Sequence, residues 1–399
     1  MKIITRTIWL LSLVSLFTDM ASEMLYPVMP LFLKQVGYSA LFIGILEGAA
    51  EAVAGLSKSY FGKLSDRSGK RLPFVQLGYG LSAISKPMLT LIIHPVWIFL
   101  SRSMDRLGKG IRTGARDALL SDETTAATKA SVFGFHRSLD TMGAVLGPAL
   151  SLMYLYYFPG AYRDLFLLAF LPGLFAVGLS FILKEKTKVP GKLTSPGTPI
   201  PFFSLLSYWK KSPDNYRRLL KGLLVFAIIN SSDVFLLLKM SEKGISDTMI
   251  IAAYIFYNLI YALAAWPAGI IADRIGKRKL MIAGLILFAA VYAGFSMAGQ
   301  VWEFVCLLVL YGLYAAATEG IAKAWISNVT DREETATAIG TFTGLQSLAA
   351  LFASSLGGLA WFYFGSSVVF VTASAVAMGV AIYFLSSRIA EAISEPVSS

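Results

Sequence analysis

Runs of apolar residues, each about as long as the roughly 20 residues a helix needs to cross a bilayer, follow one another along the chain. In hydrocarbon every backbone N–H and C=O must be satisfied within the segment, so runs of this length and number read as helices. Segments bounded by Gly, Pro or charged turns give twelve predicted spans. They are 8–33, 40–64, 72–93, 95–118, 129–155 and 164–183, then 216–240, 246–271, 279–298, 301–326, 334–361 and 364–386. The expected fold class is therefore an all-α membrane protein with twelve transmembrane helices. Composition agrees: 56% of residues are hydrophobic and 15% charged, against about 45–50% and 25% for a soluble domain. The first run, preceded by Lys2 and Arg6, has the look of a signal peptide. Its apolar character resumes beyond Asp19 and Glu23 as far as Leu33, so it reads as an uncleaved first span.

The net charge of +11 is carried in the turns. Basic clusters at Lys63, Arg67, Lys70 and Arg71, at Lys184, Lys186, Lys188 and Lys192, and at Arg274, Lys277, Arg278 and Lys279 follow alternate spans. The intervening loops around His94, Gly299 and Gly365 are nearly free of Lys and Arg. The positive-inside rule then puts both termini on the cytoplasmic side of a cell (inner) membrane. No soluble basic face exists for nucleic acid to bind. With one cysteine, Cys306, and two histidines, no intrachain disulfide, His/Cys metal centre or cofactor is expected. The longest polar stretch, 184–214, contains five prolines and divides the chain into 1–183, a cytoplasmic linker and 215–399.

The two parts repeat each other. Gly62, Asp66, Arg67, Gly69, Lys70 and Arg71 recur as Gly269, Asp273, Arg274, Gly276, Lys277 and Arg278, an offset of 207 residues that Gly37 and Gly244, and Arg116 and Lys323, share. Both loops resemble the Gly-x3-Asp-Arg-x-Gly signature between the second and third helices of the major facilitator superfamily. That resemblance covers essentially the whole chain. It implies two pseudo-symmetric six-helix bundles with a substrate site near the midplane, alternating access, and a latch at the cytoplasmic side made by Asp66 and Asp273. In span five Gly134, Gly143, Gly147 and Pro148 resemble the antiporter motif of the superfamily's drug–proton exporters, although Ser151 and Leu152 replace its usual Gly-Gly. Glycines at this spacing also let helices approach closely, and both readings stand.

Ionisable residues inside the spans mark the candidate site. In span four Arg102, Asp105, Arg106, Lys109, Arg112 and Arg116 occupy one stripe roughly 120° wide at about 100° per residue. Each costs roughly 2.5–3.5 kcal/mol at mid-bilayer, so the stripe must border water or meet carboxylates. Arg106, followed at the fourth position by Gly110, resembles the superfamily's helix-four motif, with Lys109 where Gln is common. Carboxylates come from Asp19 and Glu23 in span one, with Tyr26 on that face, and from Glu47 and Glu51 in span two. Span five adds His136, Arg137 and Asp140. The second half supplies only Asp233 and Glu319, so it is expected to form chiefly an apolar wall. A carboxyl group facing a low-dielectric cavity holds its proton more tightly, and a like-charged neighbour adds to this. The expected function is proton-coupled export of a small molecule, by a protein that acts as a monomer. The alternative is transport of a charged polar solute: an organic anion, a metal or metal chelate, or a lipid headgroup. A membrane-embedded enzyme or sensor is disfavoured, because neither a catalytic nor a signalling module is appended.

Overall fold

The apolar runs become helices whose ends are set by glycine, proline and acidic caps. A computed structural model describes residues 3–26, 28–29, 32–33, 36–37, 40–185, 205–230, 233–387 and 389–391. Among these there is no strand. The first half holds α1 (Arg6–Glu23), α2 (Ala40–Ser68), α3 (Leu72–Leu91), α4 (Pro95–Asp122), α5 (Lys129–Tyr157) and α6 (Tyr162–Ser180). After the short α7 (Leu205–Lys211) come α8 (Asp214–Ile229), α9 (Val234–Glu242), α10 (Asp247–Ile275) and α11 (Lys277–Met297). The chain ends with α12 (Val301–Asn328), a turn of 3-10 helix at Arg332–Glu334, α13 (Thr335–Phe364) and α14 (Ser366–Ser386). Among the described residues six helices are long and apolar enough to cross a membrane by length and composition: α6, Ala252–Ile275 of α10, α11, α12, the segment Arg332–Phe364 and α14. Helix α4 falls short because its charges interrupt the apolar run.

Two expected spans are corrected. Span one, read as 8–33, is interrupted: the regular helix runs to Glu23, Met24–Tyr26 form a turn, and Met29, Phe32 and Leu33 are helical again, with the N–H groups of Met29 and Phe32 bonded to the carbonyls of Leu25 and Val28. A proline follows Tyr26 in the sequence, and the residue before a proline is disfavoured in helical geometry. Span seven, read as 216–240, is two helices that part at Asn230 and Asp233. Asn and Asp side chains compete with the helical ladder, and the Asp233 carboxylate is held by the hydroxyls of Tyr257 and Tyr311. Part of the expected linker is helix α7, whose Tyr208 packs edge-on against Tyr216; residues 186–204 lie outside the described residues.

The duplication is visible in the backbone. Positive φ occurs in the described residues only at glycine: Gly37 (95°) with Gly244 (76°) and Gly69 (65°) with Gly276 (103°) at the offset of 207, and Gly160 (79°) with Gly365 (85°) two residues short of it. A side chain at such a position meets the backbone carbonyl, so each pair fixes the same turn in both halves.

Between the halves, α2 packs on α13 and α5 on α10. A Cβ on Gly62 would lie 2.4 Å from the Ala336 carbonyl oxygen, and one on Gly269 2.3 Å from that of Ala130. Gly134 faces the Ala265 carbonyl and Gly340 that of Lys58 at similar range. These helices touch backbone to backbone, which only a missing side chain permits. The signature aspartates close the same seam. Asp66 accepts from the backbone N–H of Thr337 (2.7 Å) and its hydroxyl (2.7 Å), and Asp273 accepts from the N–H groups of Ala130 (3.1 Å) and Ser131 (2.7 Å). Each caps the first turn of a helix in the opposite half, where unpaired N–H groups favour an anion. Within each half, Glu185 accepts from the N–H groups of Arg71 and Leu72 at the start of α3, and Glu391 from that of Lys277 at the start of α11.

Candidate functional site in the central cavity

Above this seam the halves diverge around a cavity of 210 Å³. Helix α1 presents Asp19 and Glu23, α4 presents Lys109, and α5 presents Arg137, Asp140 and Thr141. The α1 helix that carries these carboxylates lies close against α5, which has glycine where the two cross. A Cβ on Gly143 would lie 2.5 Å from the Leu16 carbonyl oxygen and one on Gly147 2.7 Å from that of Met20. The helix-five glycines therefore seat α1, and Gly134 seats α10.

The opposite wall is not apolar, contrary to the sequence-based expectation. Tyr254, Tyr257, Asn258 and Tyr261 of α10 and Tyr311, Tyr314 and Glu319 of α12 line it, with Asn230 and Asp233 from the break between α8 and α9. Tyrosine is apolar by composition yet offers a hydroxyl, and spacings of three and four residues align Tyr254, Tyr257 and Tyr261 on one helical face. Asn230 stands 207 residues after Glu23, so both halves break their first helix at the cavity.

Arg137 forms the floor. Its Nη1 bonds Asp140 at 2.7 Å, its Nη2 bonds Glu319 at 3.1 Å, and its Nε donates to the Tyr261 hydroxyl. The local Arg137–Asp140 pair is thus extended into the other half. Below it, Arg116 contacts Asp117 at 2.9 Å and Asp140 at 3.8 Å, and donates to Ser15 at 3.0 Å, while Ser15 itself bonds Asp140. Lys323 completes the set at 2.8 Å from Asp117.

The charge stripe of α4 does not act as one surface. Only Lys109 lines the cavity. Asp105 turns into the first half, bonded to Lys86 at 2.6 Å and to Ser82, with Arg102 at 4.0 Å. Arg112 is buried over the Tyr79 ring, 4.7 Å from its centre, and Arg106 is also engaged. His136 is buried away from the cavity lining, with Nδ1 3.3 Å from the Ser12 hydroxyl. Tyr26 stacks on Tyr254 with centroids 6.5 Å apart. Glu47 and Glu51 fall on α2, but their side chains lie outside the described residues. Asp117, Lys86, Asn230 and the tyrosines of α10 and α12 were not singled out from the sequence. Asp117 adjoins Arg116, and a buried acid beside a buried base was the available signal.

A family model described as the Major Facilitator Superfamily matches residues 11–241 and 222–397. An uncharacterized MFS-type transporter of Methanocaldococcus jannaschii is 31% identical over 367 residues, covering 90% of this chain and 89% of that protein. The quinolone resistance protein NorA of Staphylococcus aureus is 27% identical over 124 residues, 31% of this chain and 32% of its own. Among solved structures, the human organic anion transporter MFSD10 superposes with a TM-score of 0.77 at 16% identity, over 95% of this chain and 99% of that one; at that identity the likeness concerns the fold. The chain belongs to the major facilitator superfamily of multi-pass membrane proteins, and it is a transporter, not an enzyme.

Proposed function

We propose that this protein is a proton-coupled exporter of a small molecule, working by alternating access between two six-helix bundles with twelve spans in all. The observation that carries the reading is the cavity itself: Asp19, Glu23, Asp140, Asp233 and Glu319 come from both halves to one polar space above a tight seam. Carboxyl groups at bilayer depth mark proton and ion paths. On this reading the signature loops and both termini face the cytoplasm of the cell membrane, the seam is the closed cytoplasmic gate, and the cavity is reached from outside. The functional unit is a monomer. Support for export is the region shared with NorA, a resistance protein.

The test uses purified protein in proteoliposomes. A thermal-shift screen at two pH values supplies transported compounds, and their flux is then driven by an imposed pH gradient. Asp19→Asn and Glu23→Gln are each expected to abolish gradient-driven flux. Wild-type rates in both variants would remove the coupling assignment.

A second reading, transport of a charged polar solute, is favoured by the lining. Carboxylates, amides and hydroxyls outnumber aliphatic side chains there, and an ionic solute meets matched partners where a greasy one does not.

A further inference from the structure

Resting on the reading of the central cavity as the substrate path, we propose that the substrate is a small hydrophilic organic cation of the aliphatic diamine class. The sign follows from which charges are already spent. The α4 stripe would suit an anion, but Arg102 shares Asp105 with Lys86, Arg112 lies on Tyr79, and Arg116 is held by Asp117. The guanidinium of Arg137 is filled on three sides by Asp140, Glu319 and Tyr261. Of the cavity's cations, Lys109 alone has no hydrogen bond or ion pair among the described residues.

The acids are in the opposite condition. Asp233 is held by two tyrosine hydroxyls, which are neutral donors and leave its charge uncompensated. Glu23 Oε2 is buried without a hydrogen-bond partner, and Asp19 pairs with no Lys or Arg within ion-pair distance among the described residues. Three carboxylates against one ammonium leave two negative charges for a substrate or protons to meet.

The wall beside Asp233 completes a cation site. Ring centres run 5.5 Å from Tyr254 to Tyr257, 5.4 Å on to Tyr311 and 5.3 Å on to Tyr314. The first two contacts are edge-to-face and the third tilted, so the rings form an aromatic cluster of varied orientation. An aromatic ring attracts an ammonium group, while the hydroxyls and the unpartnered Asn230 Oδ1 accept its N–H donors. A volume of 210 Å³ suits a short chain with an amine at each end.

The test adds 1,4-diaminobutane, tetraphenylphosphonium or succinate to the protein in detergent and in proteoliposomes loaded with a pH dye, reading thermal stabilisation and proton movement separately. Diaminobutane should stabilise the protein. Glu23→Gln and Asp233→Asn should each weaken that binding about tenfold or more, Asp233→Glu should retain it, and Lys109→Gln should preserve or tighten it. Stabilisation by succinate in preference to diaminobutane would overturn the inference, as would tighter binding of tetraphenylphosphonium or loss of diamine binding in Lys109→Gln alone. Diamine binding without proton movement supports the substrate class and removes proton coupling. Succinate-driven proton movement does the reverse.

Discussion

Lys323 Nζ lies 2.8 Å from Asp117 Oδ2, with the Asp117 side chain wholly buried and Arg116 bonded to its other oxygen at 2.9 Å. Arg116 and Lys323 stand 207 residues apart, so equivalent cations of the two halves share one carboxylate. Breaking a buried pair by removing one member costs roughly 3–5 kcal/mol, because the other is left without compensation. Asp117→Asn should therefore destabilise the protein strongly in thermal or denaturant unfolding. Asp117→Asn combined with Lys323→Met should recover part of that loss, giving a coupling of about 1 kcal/mol or more in a double-mutant cycle. Additivity of the two changes would mean that the contact carries no energy between the halves.

The glycine seam makes a second expectation. A methyl group on Gly62 or Gly269 would sit 2.4 or 2.3 Å from a carbonyl oxygen of the facing helix, so helices must separate. Overpacking of this kind costs about 1–3 kcal/mol. Gly62→Ala and Gly269→Ala should each open the signature end. The readout is labelling of a single cysteine placed at Ser131 or Thr337, in a background where Cys306 is replaced by Ser. Because the two contacts are repeats of one geometry, labelling should rise to a similar degree in both. Unchanged labelling in either would show that the seam tolerates a Cβ.

A third expectation concerns shape at constant charge. Arg137 serves Asp140, Glu319 and Tyr261 with three different nitrogens. Lysine keeps the charge on one atom and cannot hold three partners on a planar fork. Arg137→Lys should leave the protein folded by size-exclusion chromatography yet reduce flux about tenfold or more, since a charge-assisted hydrogen bond contributes roughly 1.5–3 kcal/mol. Wild-type flux in Arg137→Lys would reduce the residue to a point charge.

Much of the fold was legible because its causes are periodic. Apolar run length predicted the helices, and the offset of 207 residues predicted the matched turns that Gly69 and Gly276 make. Asp19, Glu23, Asp140, Asp233 and Glu319 could be singled out because an acid at bilayer depth is costly and rare, and all five line the cavity. The tyrosine wall could not be, since Tyr311 and Tyr314 resemble the aromatic residues of any membrane helix. The breaks in the first and seventh spans were missed although their signals stand in the sequence, Pro27 and Pro30 in one and the polar run 230–233 in the other, because the apolar residues on either side add up to a full span length.

What the sequence determined by itself is therefore the class of molecule: a duplicated helical membrane protein with a family signature in each half. The tertiary structure decided which charges are spent. A stripe on one helix faces several neighbours at once, and whether Arg116 meets Asp117, or Lys109 meets nothing but the cavity, depends on helices that come together only in the fold. Ionic compensation acts over a few ångströms of space and not along the chain, so the balance of charge left for a substrate is a property of the packing.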